Sequence, residues 1–204
     1  MSRRLKLLAF SSLTVFLLSA SSAAAIPVPF DIAGPGQVNV DTDPATEVDL
    51  TAMTMGTILD LDVFVEITGG HMEDLDLFLT SPGGTTVQFR RNFTNPFLHQ
   101  DPPLAATFDD EALATHDSQP SPGPVVGTFQ PFQPLSAFDG QQLAGLWTLT
   151  IHDAFAPGEG NVLVGWNITG RVETDQVPEP ATLGLLAGGV GWLAVRRRQR
   201  GLPV

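Results

Sequence analysis

Residues 58–68 read I-L-D-L-D-V-F-V-E-I-T, and this stretch carries the clearest structural signal in the chain. Its apolar side chains alternate with mostly polar ones, and the apolar positions are Leu59, Leu61, Val63, Val65 and Ile67. A period of two is typical of a strand with one buried face. The stretch therefore predicts a half-buried β-strand.

Later segments repeat this alternation and are also predicted as strands. Residues 75–80 read L-D-L-F-L-T, and the turn Ser81-Pro82-Gly83-Gly84 leads into a hairpin partner at residues 85–90. Residues 147–152 alternate again, and a loop separates them from a final strand. The apolar positions that mark this final strand are Val162, Val164, Trp166 and Ile168.

The rest of the chain adds weaker strands and one irregular segment. Residues 37–40 and 48–51 are strand candidates, whereas residues 91–145 are rich in Pro and Phe and are predicted to be irregular. No helical stripe is visible between the two ends of the chain. Short strands separated by Gly and Pro turns favour an all-β sandwich, with Trp147 and Trp166 in its core. The phenylalanines expected to fold back on the sandwich or to form an apolar patch are Phe89, Phe93, Phe97, Phe108, Phe129, Phe132 and Phe138.

The N-terminus has the pattern of a secretory signal peptide. Arg3, Arg4 and Lys6 precede an apolar stretch, and small residues follow it at positions 23–25. Ala23 and Ala25 are the residues that a signal peptidase would recognise, with cleavage after Ala25. We therefore expect the protein to be exported.

The C-terminus combines a short polar motif, an apolar run and a basic stop. The motif is Val177-Pro178-Glu179-Pro180, the apolar run is residues 181–195, and four arginines lie in residues 196–200. As a helix, a run of this length spans about 22 Å, which is short against a hydrocarbon core of about 30 Å. The basic cluster should remain cytoplasmic. An ordinary single-span anchor is one interpretation of this tail.

The other interpretation is a resemblance: residues 177–200 are similar to the PEP-CTERM signal of Gram-negative bacteria. The resemblance implies a transient span of the inner membrane and cleavage near Pro178-Glu179-Pro180 by an exosortase. It also implies release toward the cell surface or an exopolysaccharide matrix.

Between the two ends the chain is strongly acidic. Residues 26–177 contain three basic residues and 21 of the 22 acidic ones, so their net charge is −18. This charge excludes nucleic acid as a partner and disfavours anionic membrane surfaces. It is compatible with binding of divalent cations, above all calcium, although solubility alone explains many of these acids. The chain has no cysteine and therefore no disulfide.

Seven segments in the same order resemble the P domain (P/Homo B domain) of the kexin- and furin-type subtilisin-like proteases. The resemblance implies a jelly-roll-like antiparallel β-sandwich. Glu73 departs from the family pattern, which has Gly before Asp74-Leu75. The segments are residues 58–63, 71–77, 79–85, 108–112, 135–140, 145–149 and 165–168.

Together these features predict six regions along the chain. They are a signal peptide (1–25), N-terminal strands and a lead-in (26–57), the P/Homo B-like sandwich (58–172), a linker with the sorting motif (173–180), a hydrophobic segment expected to be helical (181–195) and a basic tail (196–204).

Four aspartates are the candidates for a calcium site. Asp74 and Asp76 are two residues apart at the start of a strand, so that their carboxylates would point to the same face. Asp109 and Asp110 belong to an acidic triplet with Glu111. Calcium takes six to eight oxygen ligands, which two or three carboxylates with backbone and water oxygens can supply. The alternative is that Asp74 and Asp109 bond to their own backbone in turns.

Catalytic chemistry is not predicted. The chain has no Gly-x-Ser-x-Gly motif and is too short for a subtilisin-type catalytic domain beside the sandwich. His71 lies near Asp74 without a serine beside it, and we expect it to be a surface histidine. Zinc is disfavoured because the histidines lack short regular spacing. A glycosidase-like pair of carboxylates stays an open alternative.

Two functions fit these observations. The first is an exported, calcium-braced binding or structural module at the cell surface or in the matrix, with polysaccharide, a surface protein or another copy as its partner. The second is an accessory domain of a separately encoded subtilisin-like protease, or an unrecognised hydrolase.

Overall fold

The structure is a computed structural model that describes residues 27–42, 45–92, 102–115, 123–154 and 156–174. All of these residues belong to one unit, Ala25–Gln176. The predicted signal peptide, with Ala23 and Ala25, lies outside the described residues. So do the motif Val177-Pro178-Glu179-Pro180, the apolar run and the basic tail. Within the described part of the chain, no helix is long and apolar enough to cross a membrane.

The strands form two sheets. The first sheet has the order β1 (Pro27–Ala33), β10 (Val162–Glu173), β4 (Thr57–Thr68), β7 (Leu104–Phe108) and β8 (Val125–Phe129), and β2 (Val38–Asn39) also pairs with β10. The second has the order β3 (Thr46–Ala52), β9 (Gly145–Asp153), β5 (Leu75–Thr80) and β6 (Thr86–Arg90). Two short 3-10 helices, η1 (Met72–Asp74) and η2 (Leu135–Phe138), complete the described elements.

The predicted all-β sandwich is confirmed, and the alternating segments are strands β4, β5, β6, β9 and β10. Every described strand pair is antiparallel except β7 with β8, which is parallel. The predicted weaker strands correspond to β2 and β3.

The prediction that residues 91–145 are irregular is wrong for two segments. β7 pairs with β4 in the register Val63↔Phe108, and β8 then adds to β7. Leu104, Ala106 and Phe108 are buried against the core. These five-residue strands carry little local signal because small residues weaken their hydrophobic alternation. Their pairing with distant β4 decides their conformation.

Two register shifts between β10 and β4 change which side chains face the core. Between Arg171 and Val172 the register of β10 with β4 shifts, so that Leu59 is 40% exposed and Ile58 is buried in its place. A second shift, between Leu163 and Gly165, buries Leu163. The predicted inward positions of Leu59, and of Val162 and Val164, are therefore wrong, because one extra residue in a strand moves its neighbours to the other face.

The core contains Trp147 and Trp166, as predicted. The Trp147 indole N–H donates to the Leu143 carbonyl at 2.8 Å, and its ring meets Phe138 edge-on with centroids 5.2 Å apart. Phe89, Phe108 and Phe129 are buried as well. Phe132 is 43% exposed and carries the Arg91 guanidinium 4.6 Å above its ring centroid. The predicted contributions of Phe93 and Phe97 lie outside the described residues.

At one end of the sandwich, the segment from β4 to η1 meets the loop between β9 and β10. Gly69 lies at this contact with a φ of 131°, and a Cβ atom there would be 2.4 Å from the Gly160 carbonyl oxygen. Only glycine fits this position. The contact brings residues 69–74 close to residues 159–161.

Candidate functional site

Three potential metal ligands meet at this end of the sandwich. One ligand atom each from His71, Asp74 and Glu159 lies within 4.8 Å of the others. Among the described residues, no other group of three or more His, Cys, Asp or Glu is so arranged. His71 directly precedes η1, Asp74 is the last residue of η1, and Glu159 lies in the loop after β9. We call these three residues the His71 site.

A separate set of hydrogen bonds holds the Glu159 loop in place. The Asp41 carboxylate accepts the backbone N–H groups of Gly158, Glu159 and Gly160, with distances between 2.8 and 3.1 Å. These bonds, led by the one from Gly160, lower the pKa of Asp41. Asn161 links the two segments, because its Oδ1 accepts the Gly70 N–H at 2.8 Å. The loop is therefore held in place by hydrogen bonds in which the Asp74 carboxylate takes no part.

Asp74 is buried, with 8% of its surface exposed. No hydrogen bond to its carboxylate is formed by the described residues. Burial raises the pKa of Asp74 to about 6, and the charges of Glu159, Glu73 and Asp153 add to this rise. The carboxylate thus lies in an acidic environment in which no described residue donates a hydrogen bond to it.

The imidazole of His71 lies between two glutamates. Its Nδ1 atom is 3.7 Å from Glu73 Oε1 and 3.6 Å from Glu159 Oε1, and its side chain is 49% exposed. The His71 backbone N–H donates to Glu159 Oε2 at 3.1 Å. One oxygen of Glu159 is therefore anchored to the backbone and the other faces the imidazole. His71 is partly on the surface, as expected, but it has acidic neighbours.

Asp76 has other partners than Asp74. Its Oδ1 atom accepts hydrogen bonds from Gln88 Nε2 and from the Asn92 N–H, both at 2.8 Å, and its Oδ2 atom is 3.6 Å from His152 Nδ1. Because Asp74 belongs to η1 rather than to β5, the alternation of the strand does not align the two carboxylates. Asp76 connects β5 to β6 and β9.

The other two calcium candidates lie in a different acidic group, which we call the Asp62 cluster. Asp109 Oδ1 accepts the Glu111 N–H at 2.7 Å, so that Asp109 bonds to its own backbone in a turn, as one of the two interpretations of the sequence predicted. Asp110 accepts the N–H groups of Leu135 and Ser136, the first two residues of η2, both at 2.8 Å. The cluster comprises Asp60, Asp62, Asp109, Asp110, Glu111 and Asp139.

Burial and like charges both raise pKa values in this cluster. Burial raises the pKa of Asp62 to about 6, and the charges of Asp109, Asp60, Glu111 and Asp110 contribute further. The pKa of Glu111 is raised first by its hydrogen bond to Asp109. Burial also raises the pKa of Asp139. The four predicted calcium ligands are thus divided over three environments, and calcium binding stays a prediction.

The serine of the β5–β6 turn has structural partners. Ser81 Oγ donates to Gln141 Oε1 at 2.8 Å and accepts the Thr85 N–H at 3.2 Å. The hydroxyl therefore stabilises the turn, as its position before Pro82 indicates.

Sequence reasoning missed Glu159, Asp41 and Asn161. Glu159 is more than eighty positions from Asp74, so no spacing rule connects them. The only local signal is an acidic residue between two glycines, Gly158-Glu159-Gly160, which is typical of an ordered loop.

The comparisons with known proteins agree with both resemblances. A family model described as the proprotein convertase P-domain matches residues 58–169, more than half of the chain. A model of the PEP-CTERM protein-sorting motif matches residues 176–198. No curated protein matches the sequence.

Solved structures of an Aeromonas sobria serine protease are similar to this chain. The complex of that protease with its chaperone shows 14% identity and a TM-score of 0.46, covering 74% of this chain and 28% of the other. The protease alone shows 13% identity and a TM-score of 0.45, with the same coverage. This chain thus spans little more than a quarter of the length of these structures.

Proposed function

Because this chain belongs to the proprotein convertase P-domain family, we propose that it is an exported, non-catalytic module that binds a protein partner. The family is a protease-associated accessory domain. The sorting motif indicates an exported protein with a C-terminal anchoring signal that an exosortase processes. We further propose that the module works at the cell surface or in the exopolysaccharide matrix.

The observation that carries this proposal is an exposed apolar surface at the end of the sandwich opposite the His71 site. Met53 and Met55 are 83% and 72% exposed, and Leu146 is 51% exposed. They lie close together because β3 pairs with β9 through Ala52↔Gly145. Large exposed apolar side chains in one place indicate an interaction site. Methionine side chains adapt to the shape of a protein partner, whereas sugars favour aromatic platforms.

A shallow cleft adjoins this surface. It has a volume of about 270 Å³ and is lined by Met55, Gly56, Thr57, Gln142, Glu173 and Thr174. Its lining combines the apolar Met55 with polar side chains such as Gln142 and Glu173, which suits a protein segment that offers both kinds of group. A separately encoded subtilisin-like protease is the second candidate partner, and the membership of the family favours it.

A binding experiment with matched variants tests the proposal. Met53→Glu with Met55→Glu should abolish capture of surface proteins by the purified protein. Leu113→Glu is the control, because Leu113 is equally apolar and fully exposed (103%) elsewhere. Equal capture by both variants would contradict the proposed surface. Hydrolysis of peptide or glycan substrates by the purified protein, lost in Asp62→Asn or Asp74→Asn, would instead favour the hydrolase alternative.

We also propose that calcium braces the Asp62 cluster. The charges of Asp109, Asp60, Glu111 and Asp110 all raise the pKa of Asp62, so that a bound cation would relieve the repulsion among these carboxylates. At a hundredfold excess over its Kd, calcium would stabilise the fold by about 2.7 kcal/mol, or about 5–10 °C in Tm. Asp62→Asn should remove this shift and Glu47→Gln should retain it. Equal melts in calcium and in chelator would disprove the bracing.

A further inference from the structure

We propose that the His71 site binds a divalent transition-metal ion of the zinc class, with His71, Asp74 and Glu159 as its three protein ligands. This site and ion differ from the calcium bracing proposed above, and neither proposal depends on the other. An imidazole nitrogen with two carboxylate oxygens leaves a fourth position for water or for a group from a partner.

The ligand geometry is close to what such an ion needs. Zinc binds histidine nitrogen and carboxylate oxygen at about 2.0–2.2 Å, so ligand atoms around one ion lie about 3–4 Å apart. In the His71 site the three atoms lie within 4.8 Å of one another. The His71 side chain is half exposed, so that its ring has room to adjust toward an ion.

The charges at this end of the sandwich also favour a cation. Asp74 is nine-tenths buried and its carboxylate has no hydrogen-bond donor among the described residues. Its charged neighbours are Glu73 of η1, Asp153 of β9, Glu159 of the loop and His71. The buried Arg90 guanidinium of β6 donates to the Met72 and Leu75 carbonyls. A bound metal ion would neutralise the carboxylates that converge beside Asp74.

The surrounding residues hold the ligands in place in the absence of an ion. Asp41 fixes the backbone of the Glu159 loop, and the His71 N–H fixes one oxygen of Glu159. Such supporting contacts orient metal ligands, and their loss typically weakens binding 10–100-fold. The site is therefore better ordered than a chance group of surface acids.

The ligand types distinguish the ion class. Calcium takes six to eight oxygens and does not favour nitrogen. Imidazole suits zinc and its neighbours in the transition series. We therefore expect zinc to bind more tightly than calcium at this site.

The test uses the purified full-length chain after treatment with a chelator. Calorimetric titration with Zn²⁺ should show one site that His71→Ala and Asp74→Asn each weaken at least a hundredfold. Asp41→Ala should weaken it 10–100-fold. His152→Ala is the matched control, because His152 faces Asp76 as a histidine–aspartate pair outside the site, and it should leave the affinity unchanged.

Other outcomes would overturn the proposal. They are the absence of saturable Zn²⁺ binding, equal affinity in the wild type and His71→Ala, and equal losses in His71→Ala and His152→Ala. Calcium binding as tight as zinc binding would overturn the assigned ion class. Circular dichroism of each variant shows that the fold is retained, which is expected for the half-exposed His71.

Discussion

The His71 site and the Asp62 cluster are both acidic, but their carboxylates are used in different ways. In the Asp62 cluster, Asp109 and Asp110 accept backbone N–H groups and Asp60 pairs with Arg171. In the His71 site, Asp41 and Asn161 hold the backbone, and no described residue donates a hydrogen bond to the Asp74 carboxylate. The difference shows that hydrogen-bond partners, rather than the number of acids, distinguish carboxylates that hold the backbone from those that remain available to a cation.

The largest effect is expected in the Asp62 cluster. Asp110→Ala removes two charge-assisted hydrogen bonds to the start of η2, each worth about 1.5–3 kcal/mol, and should cost about 3 kcal/mol. Urea denaturation of the purified protein measures this loss, which should be the same with and without zinc. A loss of stability below about 1 kcal/mol, as in a typical surface substitution, would show that the Asp110 hydrogen bonds do not hold the backbone of the Asp62 cluster.

A smaller, pH-dependent effect is expected at the His71 site. The folded-state pKa of Asp74, about 6, is above its ordinary value of 3.8, so its charge disfavours the folded state increasingly as pH rises between these values. Without metal, Asp74→Asn should therefore stabilise the protein above pH 6 and have no effect below about pH 4. We expect about 1 kcal/mol at pH 8, because solvent screens part of the interaction.

Asp62→Asn is the matched comparison, since burial raises the pKa of Asp62 to about 6 as well. Both variants should show the same pH profile in urea denaturation. Zinc should make the wild type more stable than Asp74→Asn and should not change the order of wild type and Asp62→Asn. If zinc changed the stability of Asp74→Asn and of Asp62→Asn equally, relative to the wild type, the His71 site and the Asp62 cluster would be equivalent toward zinc.

The smallest effect is expected at the edge of the Asp62 cluster. The Arg171–Asp60 ion pair measures 3.2 Å, and the Arg171 side chain is 63% exposed. Arg171→Ala should cost less than about 1 kcal/mol, and the loss should shrink as salt screens the pair. Thermal melts at low and at high salt measure it. A salt-independent loss above about 2 kcal/mol would contradict the exposed character of this pair.

The sequence predicted the strands and the core well because both depend on local alternation. Trp147 and Trp166 were assigned to the core from strand periodicity alone. Leu59 was assigned to the wrong face because a bulge depends on the partner strand. Asp76 was proposed as a ligand from its spacing to Asp74, but its hydrogen bonds come from Gln88 and Asn92, which the fold brings near. Asp109 instead accepts the N–H of Glu111 in its own turn, the alternative that the sequence also offered.

The sequence by itself determined the all-β class, the strand positions with strong alternation, the family and the sorting motif. These features depend on short periodicities and ordered motifs, which can be recognised from residues that are close together in the sequence. Only the tertiary structure decided the parallel pair β7–β8, the bulges between β4 and β10 and the meeting of His71 and Asp74 with Glu159. Each of these depends on contacts between segments far apart in the chain, which local patterns do not encode.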